Sequence, residues 1–204
     1  MEKIDYKKKL ANFYSVRKNK IIIEDVPSMN YLMIDGEGDP NTSIDYKNAI
    51  EALFALSYAI KFFVKKGNQQ VDYGVMPLES QWWTDNMAEF STSNKFLWKW
   101  TASIMQPEIV TREIFEECLK EVYKNKDLPA LSRIVFGSCT DGLCAQLLYI
   151  GPYSDETPTI EKLHAFVKAE GYSLAGKHRE IYLNDPRRTA EDRLKTIIRQ
   201  PITK

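Results

Sequence analysis

An apolar run at residues 31–34 reads as the heart of a strand over residues 26–35, and Gly36-Glu37-Gly38 closes it with a turn. Thr42, with Asp45 three residues on, predicts a helix start. The helix then runs to about Lys66, with Tyr46, Ile50, Leu53, Phe54, Ser57, Phe63 and Val64 broadly at helical spacing, and Gly67-Asn68 ends it. Strands are predicted over residues 71–83 and 96–105. Thr111 caps a second helix, whose stripe of Ile114, Phe115, Cys118, Leu119 and Val122 lies on one face. Further on, residues 132–138 and 143–150 predict a hairpin around Thr140-Asp141-Gly142. Thr157 followed by Pro158 predicts another helix, ending at Gly171. Residues 177–183 read as a strand, residues 190–194 as a short helix and residues 195–200 as a last strand.

The pattern repeats. Gly36-Glu37-Gly38-Asp39-Pro40-Asn41-Thr42-Ser43-Ile44 and Gly151-Pro152-Tyr153-Ser154-Asp155-Glu156-Thr157-Pro158-Thr159-Ile160 each follow an apolar run and precede a helix. Later, Ile104-Met105-Gln106-Pro107 is echoed by Ile198-Arg199-Gln200-Pro201. Two echoes in the same order indicate an internal duplication. Each half reads strand, helix, strand, strand. The expected class is therefore α+β: two pseudo-repeated modules with mostly antiparallel sheets flanking a ligand cleft. The first module is expected over residues 26–108. A connecting helix and the second module take residues 109–204, and residues 1–25 form a leader or edge segment.

Charge narrows the function classes. Lys plus Arg and Asp plus Glu both number 28, so the chain has no net field to collect phosphates, and direct nucleic-acid binding is not expected. The first twenty residues are locally basic, which suits either a solvated leader or contact with an acidic partner. No apolar run reaches the roughly 20 residues of a membrane span, and residues 1–20 lack the apolar core of a signal peptide. Cys118, Cys139 and Cys144 cannot all pair, which suits free thiols in a reducing cytoplasm. With His164 and His178 as the two histidines, no metal or cofactor is expected. No phosphate loop, dinucleotide fingerprint or nucleophile elbow is present.

The unusual class is aromatic: four Trp, eleven Tyr and nine Phe, 12% of the chain. Along the strand Lys177-His178-Arg179-Glu180-Ile181-Tyr182-Leu183, alternation sends His178, Glu180 and Tyr182 to one side and Ile181 and Leu183 to the core. In the first half, Tyr73, Glu79 and Trp83 share a face if the strand stays regular through Pro77, with Trp82 on the other. A carboxylate caged by rings holds a cation strongly, because the cage excludes water and each ring face adds roughly 0.5–2 kcal/mol of cation–π attraction. The same desolvation raises an acid's pKa towards neutrality, where it serves as a general base.

Pro77-Leu78-Glu79 with Trp82-Trp83, the Gly151-Pro152-Tyr153 turn, Ile198-Arg199-Gln200-Pro201 and above all residues 176–188 resemble the GyrI-like small-molecule-binding proteins, from about Val26 onward. The resemblance implies tandem modules with a ligand cleft between them and a central glutamate at Glu180. Relatives sense lipophilic cationic drugs, and stand-alone members hydrolyse cyclopropane-bearing DNA-alkylating compounds with a pocket glutamate and aromatic side chains. The ligand contacts expected on this chain are Tyr73, Glu79, Trp82, Tyr153, His178, Glu180 and Tyr182. For hydrolysis, Glu180 would activate water while Trp83 and Tyr149 pack on the substrate. A third reading is a protein-interaction module that shields gyrase. The chain departs from the family at Ser80-Gln81, where Gly-Leu is expected, and residues 1–25 are too short for a helix-turn-helix. A monomer or weak homodimer is expected.

Overall fold

The structure, a computed structural model, describes residues 1–85 and 95–204. In chain order, the first module holds β2 (Ile21–Val26), β3 (Met29–Glu37), α3 (Ile44–Lys66), β4 (Val71–Tyr73), β5 (Leu78–Trp83) and β6 (Lys99–Gln106). After α4 (Arg112–Asn125), the second module holds β7 (Val135–Cys139), β8 (Gly142–Ile150), α5 (Thr157–Ala169), β9 (Ser173–Leu174), β10 (His178–Tyr182) and β11 (Lys195–Thr203). Ahead of both lie β1 (Glu2–Ile4) and two single-turn helices, α1 (Tyr6–Lys9) and α2 (Ala11–Tyr14).

The duplication is visible in the pairing. The large sheet runs β2-β8-β11-β10-β5-β6-β3-β7, so each module contributes the same three-strand set in mirrored order. The modules join edge to edge where β5 and β10 pair antiparallel, with His178 opposite Trp82, Glu180 opposite Ser80 and Tyr182 opposite Leu78. Both sequence echoes fall at equivalent places, the turns into α3 and α5 and the strands β6 and β11, which hold matching positions in the two halves of the sheet.

Several local expectations shift. The predicted hairpin of β7 and β8 does not form: β7 pairs with β3 and β8 with β2. Asp141 and Gly142, with Gly142 at φ 67°, serve as a crossing point and not as a hairpin turn. Across Pro27-Ser28 and Thr140-Asp141 the two long chains run side by side and switch from one module to the other, so the pairing closes on itself. Helix starts move by one residue. Ser43, not Thr42, caps α3 by accepting from the Tyr46 amide, and Glu156, not Thr157, precedes the first residue of α5. The predicted strand over residues 71–83 is broken between Tyr73 and Leu78, where Pro77 lacks a ladder donor. The predicted short helix is a single 3₁₀ turn at Glu191–Arg193, and β11 continues past Pro201 to Thr203.

The core sits under α3. Leu53, Leu56, Ile60 and Val64 have no exposed surface, as the apolar stripe requires, and each such burial contributes about 1.5–3 kcal/mol. They meet Leu32, Ile34 and Ile104, while α4 covers the outer flank of α3. A smaller core forms where Leu163 and Val167 of α5 rest on Ala145, Leu147, Ile198 and Ile202. Thus α3 packs on β3, β4 and β6, α5 packs on β8, β9 and β11, and the joined pair β5–β10 lies between the two helices. The N-terminal segment keeps its lysines exposed but buries Tyr6, Tyr14 and Val16, and β1 pairs parallel with β4. Among the described residues no helix is long and apolar enough to cross a membrane.

Candidate functional site

Strand alternation gives the sheet two faces at the module junction, and each carries a glutamate. On the face between α3 and α5, His178, Glu180 and Tyr182 of β10 stand beside Ser80 and Trp82 of β5. Tyr182 donates its hydroxyl to Glu180 Oε2 at 2.6 Å, and His178 Nε2 lies 3.3 Å from Glu180 Oε1. The Glu180 side chain retains 12% of its surface. From α3, the hydroxyl of Tyr46 meets that of Ser80 at 2.7 Å. The ring of Tyr46 lies 5.4 Å from Trp82 and 5.0 Å from Trp100, and Trp98 lies 5.4 Å from Trp82. The Trp100 ring lies over Gly36, its partner across the β3–β6 pair, where a Cβ would come within 2.2 Å of the ring; that strand position needs glycine for space. On the α5 side, Tyr153 meets Tyr182 edge-on at 5.4 Å.

Burial sets the electrostatics. Desolvation and the charge of Glu180 hold the Tyr182 phenol well above its ordinary pKa. Tyr153 is pushed up to about 12 by burial and by Glu156 and Glu180. Burial likewise raises Tyr46. A second carboxyl, Glu156, is 4% exposed. Its pKa is raised far above the carboxylate range, first by burial and next by the charge of Glu180.

The opposite face holds a different cluster. Glu79 has no exposed surface and pairs with Arg179 at 2.9 Å. Arg179 reaches Asp141 at 2.9 Å, and Arg199 reaches the same Asp141 at 3.1 Å. Tyr14 donates to Glu79 Oε1 at 2.5 Å, and Arg199 also donates to the Phe13 carbonyl and to Gln146. Two carboxylates and two guanidiniums balance, and the N-terminal segment and the crossing chains add hydrogen bonds to them.

Of the residues singled out from sequence, Trp82, Tyr153, His178, Glu180 and Tyr182 come together. Tyr149 lies on the same side, opposite Thr196 in register, with its hydroxyl bonded to the Pro152 carbonyl. Glu79 does not share a face with Glu180, because adjacent pairing positions of β5 and β10 alternate faces. Trp83 goes with Glu79 for the same reason, and Lys177 Nζ sits 3.2 Å from the centre of its ring. Tyr73 is buried in the core against Tyr6. Sequence reasoning passed over Glu156, Tyr46, Trp98, Trp100 and Thr196. Tyr46 and the tryptophans look like core residues in any amphipathic count. Glu156 sat within the repeated turn, a detectable signal, but an acid before a helix reads as a cap.

Comparison with known proteins fits this geometry. Three crystal structures from Listeria innocua superpose closely: an uncharacterized conserved protein (36% identity, TM-score 0.89, covering 98% of this chain and 100% of that one) and two hydrolases (36% and 35%, TM-scores 0.88 and 0.85, covering 99% and 98% of this chain and all of theirs). No protein of curated function matches at a significant level. The family model for the GyrI-like small molecule binding domain matches residues 19–203, so the chain belongs to the GyrI-like family.

Proposed function

We propose that the cleft between α3 and α5 binds flat, lipophilic, cationic small molecules, with Glu180 as the counter-charge and Trp82, Tyr153 and Tyr182 as the ring contacts. The observation that carries this reading is a carboxylate set among aromatic side chains at the module junction, with no lysine or arginine paired to it among the described residues. A cation arriving there meets a charge in a medium less polar than water, and the ring faces attract it further. His178 and Tyr182 hold the carboxylate in place from its own strand. The partner is thus a small molecule; the chain works as a monomer or weak homodimer in the cytoplasm.

A second reading is hydrolysis in the same cleft. Two observations favour it: two of the similar Listeria innocua proteins are hydrolases, and Glu180 stands beside a second carboxyl, Glu156, whose pKa burial raises. The substrate class is a cyclopropane-bearing alkylating compound. Glu180 takes a proton from water as the oxygen attacks the strained carbon, and the ring carbon–carbon bond breaks towards the conjugated system.

The test is to incubate the protein with a rhodamine-type cation and, separately, with a cyclopropane alkylator. Micromolar binding of the cation that weakens at least tenfold, about 1.4 kcal/mol, in Glu180→Gln supports the binding reading. Turnover of the alkylator that is lost in the same variant supports hydrolysis. Cation binding and turnover both unchanged in Glu180→Gln would remove Glu180 from the site.

A further inference from the structure

We propose that Glu156 is a second ligand-contacting carboxyl of this cleft and that an incoming cation takes the place of its proton, so that each binding event releases one proton. This rests on the reading of the cleft as a cation site and deepens it.

The argument starts from where Glu156 stands. It is the residue before α5, and its carbonyl accepts from the Thr159 and Ile160 amides. A carboxylate near a helix start is favoured by the helix dipole when it lies close to the free amides of the first turn. Glu156 makes no side-chain capping bond. Its side chain is buried, its Oε1 meets no hydrogen-bond partner of good geometry, and the groups within reach are the Thr196 hydroxyl and the Glu180 carboxylate. A carboxyl buried against a second carboxyl holds its proton, because two like charges at close range in a medium of low dielectric repel strongly.

The surrounding charges agree. Glu180, His178 and Tyr182 face it from β10, Thr196 from β11 and Tyr149 from β8. Tyr153 and Asp155 belong to the turn before α5, Tyr46 to α3, and His164 of α5 lies near His178. Asp185 adds negative charge near Tyr153. Lys95 draws Glu156 towards ionisation, but less than burial and Glu180 oppose it. The phenols of Tyr46, Tyr153 and Tyr182 are all raised and keep their protons at neutral pH, so they cannot supply the one released.

The exchange balances: protonated protein and cation give complex and free proton. Linkage makes the effect reciprocal, since whatever favours loss of the proton favours the cation to the same degree. A neutral flat molecule leaves the proton where it is. The site therefore distinguishes cation from neutral isostere more sharply as pH rises, and a single protein has pH-dependent affinity for one class of ligand and pH-independent affinity for the other.

The experiment is titration calorimetry of the full chain with rhodamine 6G, a fixed cation, and with pyrenemethanol, a neutral flat probe, between pH 6 and 8 in buffers of different ionisation enthalpy. The expected result is about one proton released per rhodamine bound and affinity rising by up to about tenfold per pH unit. Pyrenemethanol should show neither effect, and in Glu156→Gln the rhodamine slope should vanish. Should that variant not fold, the infrared carbonyl stretch of a protonated carboxylic acid, lost from the wild type on adding rhodamine, reports the same event. Rhodamine binding with no proton release, or a slope that persists in Glu156→Gln, overturns this inference and leaves the cation reading standing. No rhodamine binding at any pH overturns both.

Discussion

Two glutamates one strand apart, Glu79 and Glu180, lie on opposite faces of the same seam and have opposite surroundings. Glu79 is wholly buried against Arg179, in a four-charge cluster that balances itself and is sealed by Tyr14. Glu180 keeps a sliver of exposure, is fixed by a phenol and an imidazole, and has another carboxyl as its neighbour. A buried acid with its own counter-ion is committed to the fold. An acid caged by rings, with no lysine or arginine paired to it among the described residues, is left for something that arrives from outside. Burial alone does not separate the two roles; charge balance does.

The largest effect should come from unbalancing the closed cluster. Glu79→Gln leaves Arg179 and Arg199 facing only Asp141, and the chain should lose about 3–5 kcal/mol in denaturant unfolding, as when one partner of a buried pair is removed. Glu180→Gln, by contrast, should change stability by less than about 1 kcal/mol while weakening cation binding, since it removes a charge without orphaning a cation. Equal losses from the two variants would erase the distinction drawn between the faces.

Next, Tyr14→Phe should destabilise by about 1–3 kcal/mol, because it strips a hydrogen bond from a buried carboxylate. Rhodamine affinity should not follow, since Tyr14 lies on the far face. A drop in affinity larger than the stability change explains would join the two faces into one site.

The smallest effect concerns pH. Glu156 binds its proton more tightly folded than unfolded. The folded chain thus holds more protons between the ordinary carboxylate range and the raised value, so stability falls as pH rises across that window. Below the ordinary range both states are protonated and the penalty is absent. Glu156→Gln should flatten this decline and leave the variant more stable than the wild type at pH 8, on the order of 1 kcal/mol. Unfolding curves at pH 5 and pH 8 for both proteins check the sign.

By itself the chain determined its elements, its duplication and the face that Glu180 shares with His178 and Tyr182. These are local properties, set by helical period, strand alternation and turn residues within a few positions of each other. Tertiary structure alone decided the rest. Asp141 looks like a hairpin turn residue until the crossing chains carry it to Arg179 and Arg199. Trp83 and Glu79 look like pocket residues until the pairing of β5 with β10 sends them behind the sheet. Glu156 looks like a cap until α5 docks and presses it against Glu180. In each case the partner is far away in sequence, and an electrostatic environment is a property of partners, burial and distance, which no window along the chain contains.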